Sequence, residues 1–417
     1  MFNKLIEGRL LTLLVGSVFR LVEIFVRTIH IGVRAVRLLI QELLTSPIDA
    51  RISAFGKRWL ANRTEIDASS VIFIAQHGEY TGDPKYIAEE ILRRGAPYKI
   101  TWVLSEDSVG PFPQDFRFVH AGTAHSFRAI ARAKVVIQDG YGLQDSGAAK
   151  GSSQTWVQAG DAGFAMKPHG EAGIRTTDRR LRRLGGPQMD LVLTSSPYED
   201  EIVAASSWPH VPTLMVGHAR NDILINTPPQ LTQELRKKVL DRLNIVDMGQ
   251  RFVLYTPSCV DVPGTSSVSG VDLVAVREAL SDKFGGIWDI LIRTYDRSEP
   301  GAGPLAGLPV YCHNVTLYPD MQELLVVADA YIGDDSRWMR DYLLTRKPTF
   351  AYSTGIDTSN QDLLHAIDQF DQGTHDRTIT QMREMDGNTD DGDAASRTVD
   401  KIESLMSPSV FQREHRP

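Results

Sequence analysis

Cysteine is scarce in this 417-residue chain: only Cys259 and Cys312 occur. Two thiols exclude a disulfide framework and a four-cysteine zinc site, and they fit a reducing compartment such as the cytoplasm. Long apolar runs are missing too. Within the N-terminal helical stretch the longest uncharged run, Leu10 to Phe19, is about half of what a bilayer-spanning helix needs. It lacks an A-x-A-like cleavage site and arginines recur after it, so neither a membrane span nor a signal peptide is expected. No internal repeat is present, and nothing suggests a haem, flavin or tightly bound metal, so no cofactor and no metal are expected. The net charge of −7 is not that of a protein that wraps nucleic acid.

That charge is unevenly spread. Residues 1–63 hold ten Lys or Arg against four Asp or Glu, a balance of +6, so the rest of the chain carries −13. Between Leu10 and Leu44 there is no proline and little glycine, which predicts a long helix. Arg20, Glu23, Arg27, His30, Arg34, Arg37 and Gln41 follow one another by three or four positions and form one polar stripe. The remaining surface is apolar. Such a helix either lies in an anionic membrane interface, with its arginines on lipid phosphates, or buries its apolar face against the protein or a second copy. The first reading puts the protein at the cytoplasmic face of the membrane; the second leaves an oligomer open.

A chain of this length is expected to divide into more than one domain. After the polar stretch Asn62 to Ser70, short β-branched and aromatic runs alternate with helical patterns. Strands are predicted at 71–75, 99–104, 135–137, 191–194 and 213–216, with helices at 84–94, 127–132 and 198–206. A connecting helix, 230–243, precedes a second series of strands at 252–255, 290–293, 315–317 and 330–332. Residues 263–270 and 298–307 are expected to be loops, 385–393 an acidic turn, and 394–406 a final amphipathic helix. Strand and helix taking turns imply an α/β protein with parallel sheets covered on both faces. The expected division is a helical segment 1–63, a first α/β domain 64–243 and a second 244–417, with a ligand cleft between the two α/β lobes.

Several segments, in order, resemble those of the CDP-glycerol glycerophosphotransferases, which build poly(glycerol phosphate) wall teichoic acid. Asp83-Pro84-Lys85-Tyr86-Ile87 followed by Trp102-Val103 resembles N-P-K-Y-I and W-V; Ala133-Lys134-Val135-Val136-Ile137 resembles the A-K strand. Gly217-His218-Ala219-Arg220-Asn221-Asp222 is similar to G-x-P-R-N-D, and Leu254-Tyr255-Thr256-Pro257-Ser258 to L-Y-A-P-T. Ile332-Gly333-Asp334-Asp335-Ser336-Arg337, with Asp341-Tyr342 and Lys347-Pro348, resembles I-T-D-Y-S-S, F-D-Y and K-P; Asp391-Gly392 and Ala395-Ser396-Arg397 resemble D-G-x-A-S-x-R. The resemblance covers roughly residues 70 to 405. It implies a GT-B-like fold of two Rossmann-type lobes and a nucleotide-linked donor, CDP-glycerol or similar. It further implies transfer of glycerophosphate, or a related alditol phosphate, to a lipid-linked or polymeric acceptor. A catalytically inactive relative with a binding or scaffolding role, and a GT-B glycosyltransferase using a nucleotide sugar, stay open as alternatives.

Candidate site residues follow from the resemblance and from chemistry. The family's Q-T-W-H-G-T-P-L-K-K loop aligns without a gap on residues 158–167, so its histidine falls on Asp161; a second family histidine falls on Tyr295. Asp161 is therefore the candidate base for the acceptor hydroxyl, provided burial raises its pKa. Gly160 and Gly163 let that loop approach its substrates, and Lys167 is placed to hold the acceptor's phosphate. Arg220 is a candidate to grip diphosphate oxygens bidentately, Arg293 at a predicted strand end is expected to point toward the cleft and meet the donor's phosphates, and Tyr295 either donates to the leaving phosphate or packs. Asp334, Asp335, Ser336 and Arg337 stand between a strand and a helix, where Ser336 and free helix-start N–H groups either hold phosphate or simply cap the helix. His77 and His169 are reserve candidates for the base or ordinary surface residues, and the arginine-rich run 175–183 either meets an anionic polymer or is a solvated face.

Overall fold

A computed structural model describes residues 61–75, 78–105, 108, 110–139, 149–160, 189–204, 210–257, 271–294, 309–333, 336–352 and 360–406. The chain separates into two compact units, Met1–Ala61 and Asn62–Pro417. The amphipathic helix expected within the first unit lies outside the described residues.

The second unit is built on two parallel sheets. The first runs β3-β2-β1-β4-β5-β6-β7. Its members are β1 (Asp67–Ile74), β2 (Lys99–Leu104), β3 (Arg117–His120), β4 (Ala133–Gln138), β5 (Thr155–Gln158), β6 (Leu191–Thr194) and β7 (Thr213–Met215). The second runs β10-β9-β8-β11-β12, from β8 (Arg251–Thr256), β9 (Trp288–Ile292), β10 (Cys312–Asn314), β11 (Ala330–Gly333) and β12 (Thr349–Ala351). Both sheets place their first strand centrally and step outwards to either side. Each therefore has a switch point where the winding reverses, β1/β4 in one and β8/β11 in the other, and ligands of open α/β sheets bind beyond the strand ends there.

Among the described residues, α1 (Gly82–Arg93), α2 (Ala124–Arg132) and α3 (Pro197–Ala204) belong to the first lobe. The connection holds α4 (Asp222–Ile225) and α5 (Pro229–Leu243). Then come α6 (Leu273–Phe284), α7 (Met321–Val327), α8 (Arg337–Leu343), α9 (Asn360–Asp368), α10 (Gln372–Asp386) and α11 (Ala394–Met406). Central strands are apolar throughout because helices cover both their faces: Val71 to Ile74 of β1 and all of β6 are buried.

Three strands were not expected. β3 is an exposed edge strand, β5 is four residues of Thr-Trp-Val-Gln, and β12 is three residues long. Each is too short or too polar to show a period of its own. The strand expected at 315–317 is instead β10, three residues earlier. Asn314 Oδ1 accepts from the Thr316 amide at 3.0 Å, a local side-chain turn that bends the chain out of the sheet.

One connection departs from a simple two-block chain. α11 returns to the first lobe, where Ala395, Val399, Ile402 and Met406 join Ile87 and Ile91 of α1 in one apolar cluster over the first sheet. Asp222 fastens its start, accepting from the Ala394 and Ala395 amides at 2.9 and 2.7 Å. Ile402 is 1 % exposed. Ile402→Ala is therefore expected to lower unfolding stability by about 2–5 kcal/mol in urea titrations. A loss below about 1 kcal/mol would show that α11 is not part of that core.

Candidate functional site

The site grows from the carboxyl ends of the first sheet. Asp139 follows β4, Gly160 follows β5, Ser195 and Ser196 follow β6, and Gly82 and Asp83 open α1 beyond the end of β1. Two glycines make this convergence possible. Gly82 and Gly160 have φ of +66° and +65°, and a Cβ on either would sit 2.5 Å from Asp139 Oδ2 or 2.2 Å from Asp83 Oδ2. Gly160 is held further by an amide relay: Gln138 Nε2 donates to Gln158 Oε1 at 2.6 Å, and Gln158 Nε2 to the Gly160 carbonyl at 3.1 Å.

Opposite these carboxylates stands Arg220, in a single 3-10 turn (Ala219–Asn221) after β7. Its guanidinium lies between two lobes. Nη1 donates to Asp83 of α1 at 2.5 Å, while Nε and Nη2 donate to Asp341 of α8 at 3.0 and 3.3 Å. Its amide also donates to Asp83 Oδ1 at 3.0 Å. Asn221 donates to Asp341 and to Asp390, each at 3.2 Å. The acidic turn 385–393 thus has a structural task, because Asp390 also accepts from the His218 amide at 2.6 Å. Burial pushes the Asp83 pKa up, but the Arg220 charge and then His218 outweigh it and hold the carboxyl below its ordinary value.

His218 is buried and gives Nε2 to Glu199 at 2.9 Å. Burial and the neighbouring Arg220 charge lower its pKa; Glu199 and Asp83 overcome both and lift it to about 9. Reciprocally, burial raises Glu199 but His218 outweighs it and brings it to about 2. Asp139 lacks such a partner. Burial first, then the Asp83 charge, raise it to about 6 against the pull of Arg337, Arg220 and His218.

A cavity of about 90 Å³ opens between the lobes here, with His218, Arg220, Arg337, Arg340 and Asp341 in its wall. The start of α8 therefore faces the first lobe. Ser336 caps that helix, its hydroxyl accepting from the Met339 amide at 3.4 Å. Arg293, at the end of β9, packs its guanidinium 5.6 Å from the Trp338 ring and gives Nη1 to the Tyr318 carbonyl at 2.5 Å. Of the residues chosen from sequence, Arg220 and Arg337 line this cavity, Gly160 lies beside Asp83 and Asp139, and Arg293 and Ser336 make their contacts within the second lobe. Asp161, Gly163, Lys167, Tyr295, Asp334 and Asp335 lie outside the described residues, as do His77, His169 and the run 175–183. Arg220 is engaged by two carboxylates and only 4 % exposed, an arrangement for holding the lobes more than for gripping a ligand. Asp139, His218 and Glu199 were not chosen as site residues. Asp139 could have been, since it stands two residues after the strand predicted at 135–137, where α/β sheets present ligand groups.

Comparison with known proteins bears on what this cleft handles. The sequence profile of the CDP-Glycerol:Poly(glycerophosphate) glycerophosphotransferase family matches residues 58–372. The chain belongs to that family. It is 22% identical over 313 residues to a teichoic acid poly(glycerol phosphate) polymerase of Staphylococcus epidermidis, covering 72% of this chain and 42% of that protein. To the polymerase of the same name from Bacillus subtilis it is 23% identical over 316 residues, covering 73% and 41%. The chain thus spans about two fifths of the length of these curated relatives. Its fold is similar to that of the wall teichoic acid polymerase TagF, with a TM-score of 0.68 at 20% identity over 91% of this chain and 98% of that one. A TagF variant with a substituted histidine, soaked with CDPG, is equally similar. The glycerophosphotransferase family and a TagF-like GT-B fold are thereby shown. Among the described residues no helix is long and apolar enough to cross a membrane.

The buried network makes two predictions. Asp341→Ala strands the Arg220 charge and is expected to cost about 3–5 kcal/mol in urea unfolding, where a cost below about 1 kcal/mol would show the pair to be dispensable. For His218 the folded pKa is raised, to about 9 from 6.5, so its contribution is complete below pH 6.5 and fades as pH rises through 9. Its full size is on the order of 3 kcal/mol. Wild type should lose stability over that window, and His218→Gln should show a visibly flatter profile.

Proposed function

We propose that this chain transfers glycerophosphate from CDP-glycerol to a poly(glycerophosphate) or lipid-linked acceptor. The match to the family profile across both lobes supports this reading most directly. In the reaction the acceptor hydroxyl oxygen bonds to the donor's β-phosphorus while the bridging oxygen departs with CMP, and the hydroxyl proton passes to a base. Phosphoryl transfer of this kind depends on positioning and on meeting developing negative charge.

Asp161 is the proposed base and Tyr295 a donor to the leaving phosphate, at the positions where the resemblance sets the family's two histidines. Arg293, Ser336 and Arg337 are proposed to meet the donor's diphosphate, with Asp334 and Asp335 shaping the same turn. Arg220 is given a supporting role, because its charge is already matched by Asp83 and Asp341. Gly160 and Gly163 would let the loop close on the substrates, and Lys167 would hold the acceptor's phosphate. The basic segment 1–63 would keep the protein at the cytoplasmic membrane surface by attraction to anionic lipid. Should Asp161 and Tyr295 stand in place of both family histidines, as the resemblance implies, a second reading is favoured, a relative that binds these ligands without turnover.

CMP release from CDP-glycerol in the presence of a glycerol-phosphate primer separates the two. The transferase reading expects steady release that drops about 10²–10⁴-fold in Asp161→Asn. Binding of CDP-glycerol with no release would establish the second reading instead.

A further inference from the structure

A second cavity, of about 250 Å³, shares none of its lining with the cavity beside Arg220. On α1, Asp83 holds Arg220, whereas Lys85 and Glu89 line this second space. Helix positions two apart point to nearly opposite sides and positions four apart share one. The two cavities therefore open on different sides of α1.

The walls of the second cavity close on themselves through direct contacts. Tyr80 gives its hydroxyl to Glu89 Oε1 at 3.2 Å, and its ring meets the Phe112 ring at 5.8 Å. Phe112 belongs to the loop 110–113, whose Gly110 carbonyl accepts from Arg242 Nη2 at 3.0 Å. One turn before Arg242 on α5, Lys238 reaches Glu323 of α7 at 2.6 Å. Glu323 also takes Lys85 at 2.7 Å, and Lys85 Nζ stands 5.8 Å from the Tyr80 ring, where the circuit began. Pro111, Pro113 and Pro319 add apolar faces.

Six charged groups line this space, and four of them are matched. Lys85 is bound by Asp320 and Glu323, and Lys238 by Glu323. Arg242 and Glu89 are the other two. Among the described residues Arg242 donates to the Gly110 carbonyl and packs 5.6 Å from the Tyr318 ring, with no carboxylate in ion-pair contact. Glu89 accepts from the Tyr80 hydroxyl alone and has no cation in ion-pair contact. Burial raises its pKa; Lys85 opposes that and Asp320 adds to it. The residue is nonetheless exposed to solvent, as a side chain in an open recess is. One unmatched cation and one unmatched carboxylate, with aromatic and proline faces between them, suit a ligand that carries an anion and a hydrogen-bond donor.

We propose that this cavity is a second ligand subsite, in which Arg242 holds the phosphate of one glycerol phosphate unit and Glu89 accepts from its hydroxyl. The anion and the donor follow from the cavity alone; the polyol phosphate class rests on the transferase reading. The space is smaller than the roughly 300–1,000 Å³ of sites for drug-sized ligands, which suits a single unit. That unit is either a free phosphate ester or one member of a bound polymer whose reacting end lies in the cleft.

Calorimetry on the full chain tests this with sn-glycerol 3-phosphate, propyl phosphate, which has no hydroxyl, and a short oligo(glycerol phosphate). Wild type should bind glycerol 3-phosphate about 10–100-fold more tightly than propyl phosphate, the effect of a hydrogen bond to a charged group. Glu89→Gln keeps the shape of the side chain, so it should fold as wild type does, and should cut that preference to about a few-fold. Arg242→Gln should weaken both esters by about tenfold or more and leave the preference between them. An oligomer that binds at least about tenfold more tightly than the monomer identifies a polymer unit; equal affinities identify the free ester. The proposal is overturned if wild type shows no preference, if both variants bind as wild type does, or if O-phosphoethanolamine, with an ammonium in place of the hydroxyls, binds more tightly than glycerol 3-phosphate. CMP release from CDP-glycerol without the hydroxyl preference would remove the subsite and keep the transferase reading. The preference, lost in Glu89→Gln, without any CMP release from wild type would do the reverse.

Discussion

Arg220 is one guanidinium shared by two carboxylates from different lobes, and the geometry of the cleft follows from it. Asp83 begins the first helix of the first lobe and Asp341 lies in the helix that opens beyond β11 of the second. Both are buried, so neither can turn to water if the arginine is lost, and the planar fork of the guanidinium dictates how the two helices face each other. A second buried cation does the same a short distance away: Lys85 of α1 pairs with Asp320 and Glu323 at the start of α7. Such pairs gain little net stability over apolar packing, because desolvation offsets attraction. Their effect is to make other arrangements costly, since any other register would leave a charge unpaired.

With the lobes held in this way, the residues after β6 and β7 meet the start of α8 across a narrow cavity. The surrounding groups are not all satisfied. Arg220 and Glu199 are bound on several sides, while Asn221 and Asp139 are each left with an unmatched oxygen, and the Asp139 pKa is raised. A fold tuned only for stability would place an amide or an apolar side chain there. Local departures from full satisfaction mark the places where a protein's chemistry is done, and here the departure coincides with the switch point of the sheet. The family relationship explains why a cleft should stand between two such lobes. The unpaired atoms single out one corner of it.

Much of this architecture was legible in the residues. β2, β6 and α11 have the boundaries that apolar patterning predicts, because each is a run with a clear period and turn residues on either side. β3, β5 and β12 were hidden: an exposed edge needs no apolar face, and three or four residues make no pattern. The site divides in the same manner. Gly160, Arg293, Ser336 and Arg337 were chosen from local motifs, and of these Arg337 lines the inter-lobe cavity. Arg220 was chosen for its affinity for phosphate, yet its partners are Asp83 and Asp341, 137 and 121 positions away along the chain. Asp139 gave no motif at all, since an aspartate after a strand is ordinary until its surroundings are known.

From the residues alone came the alternation of strand and helix, the basic segment at 1–63 and the ordered set of family-like segments, because each depends on neighbours within a few positions. The tertiary structure decided that α11 closes onto the first lobe, that Arg220 ties the lobes together, and that Asp139 and His218 are each buried near Asp83. Those facts depend on contacts between distant parts of the chain and on exclusion of water from charged groups. Only the folded arrangement of both sheets brings either about.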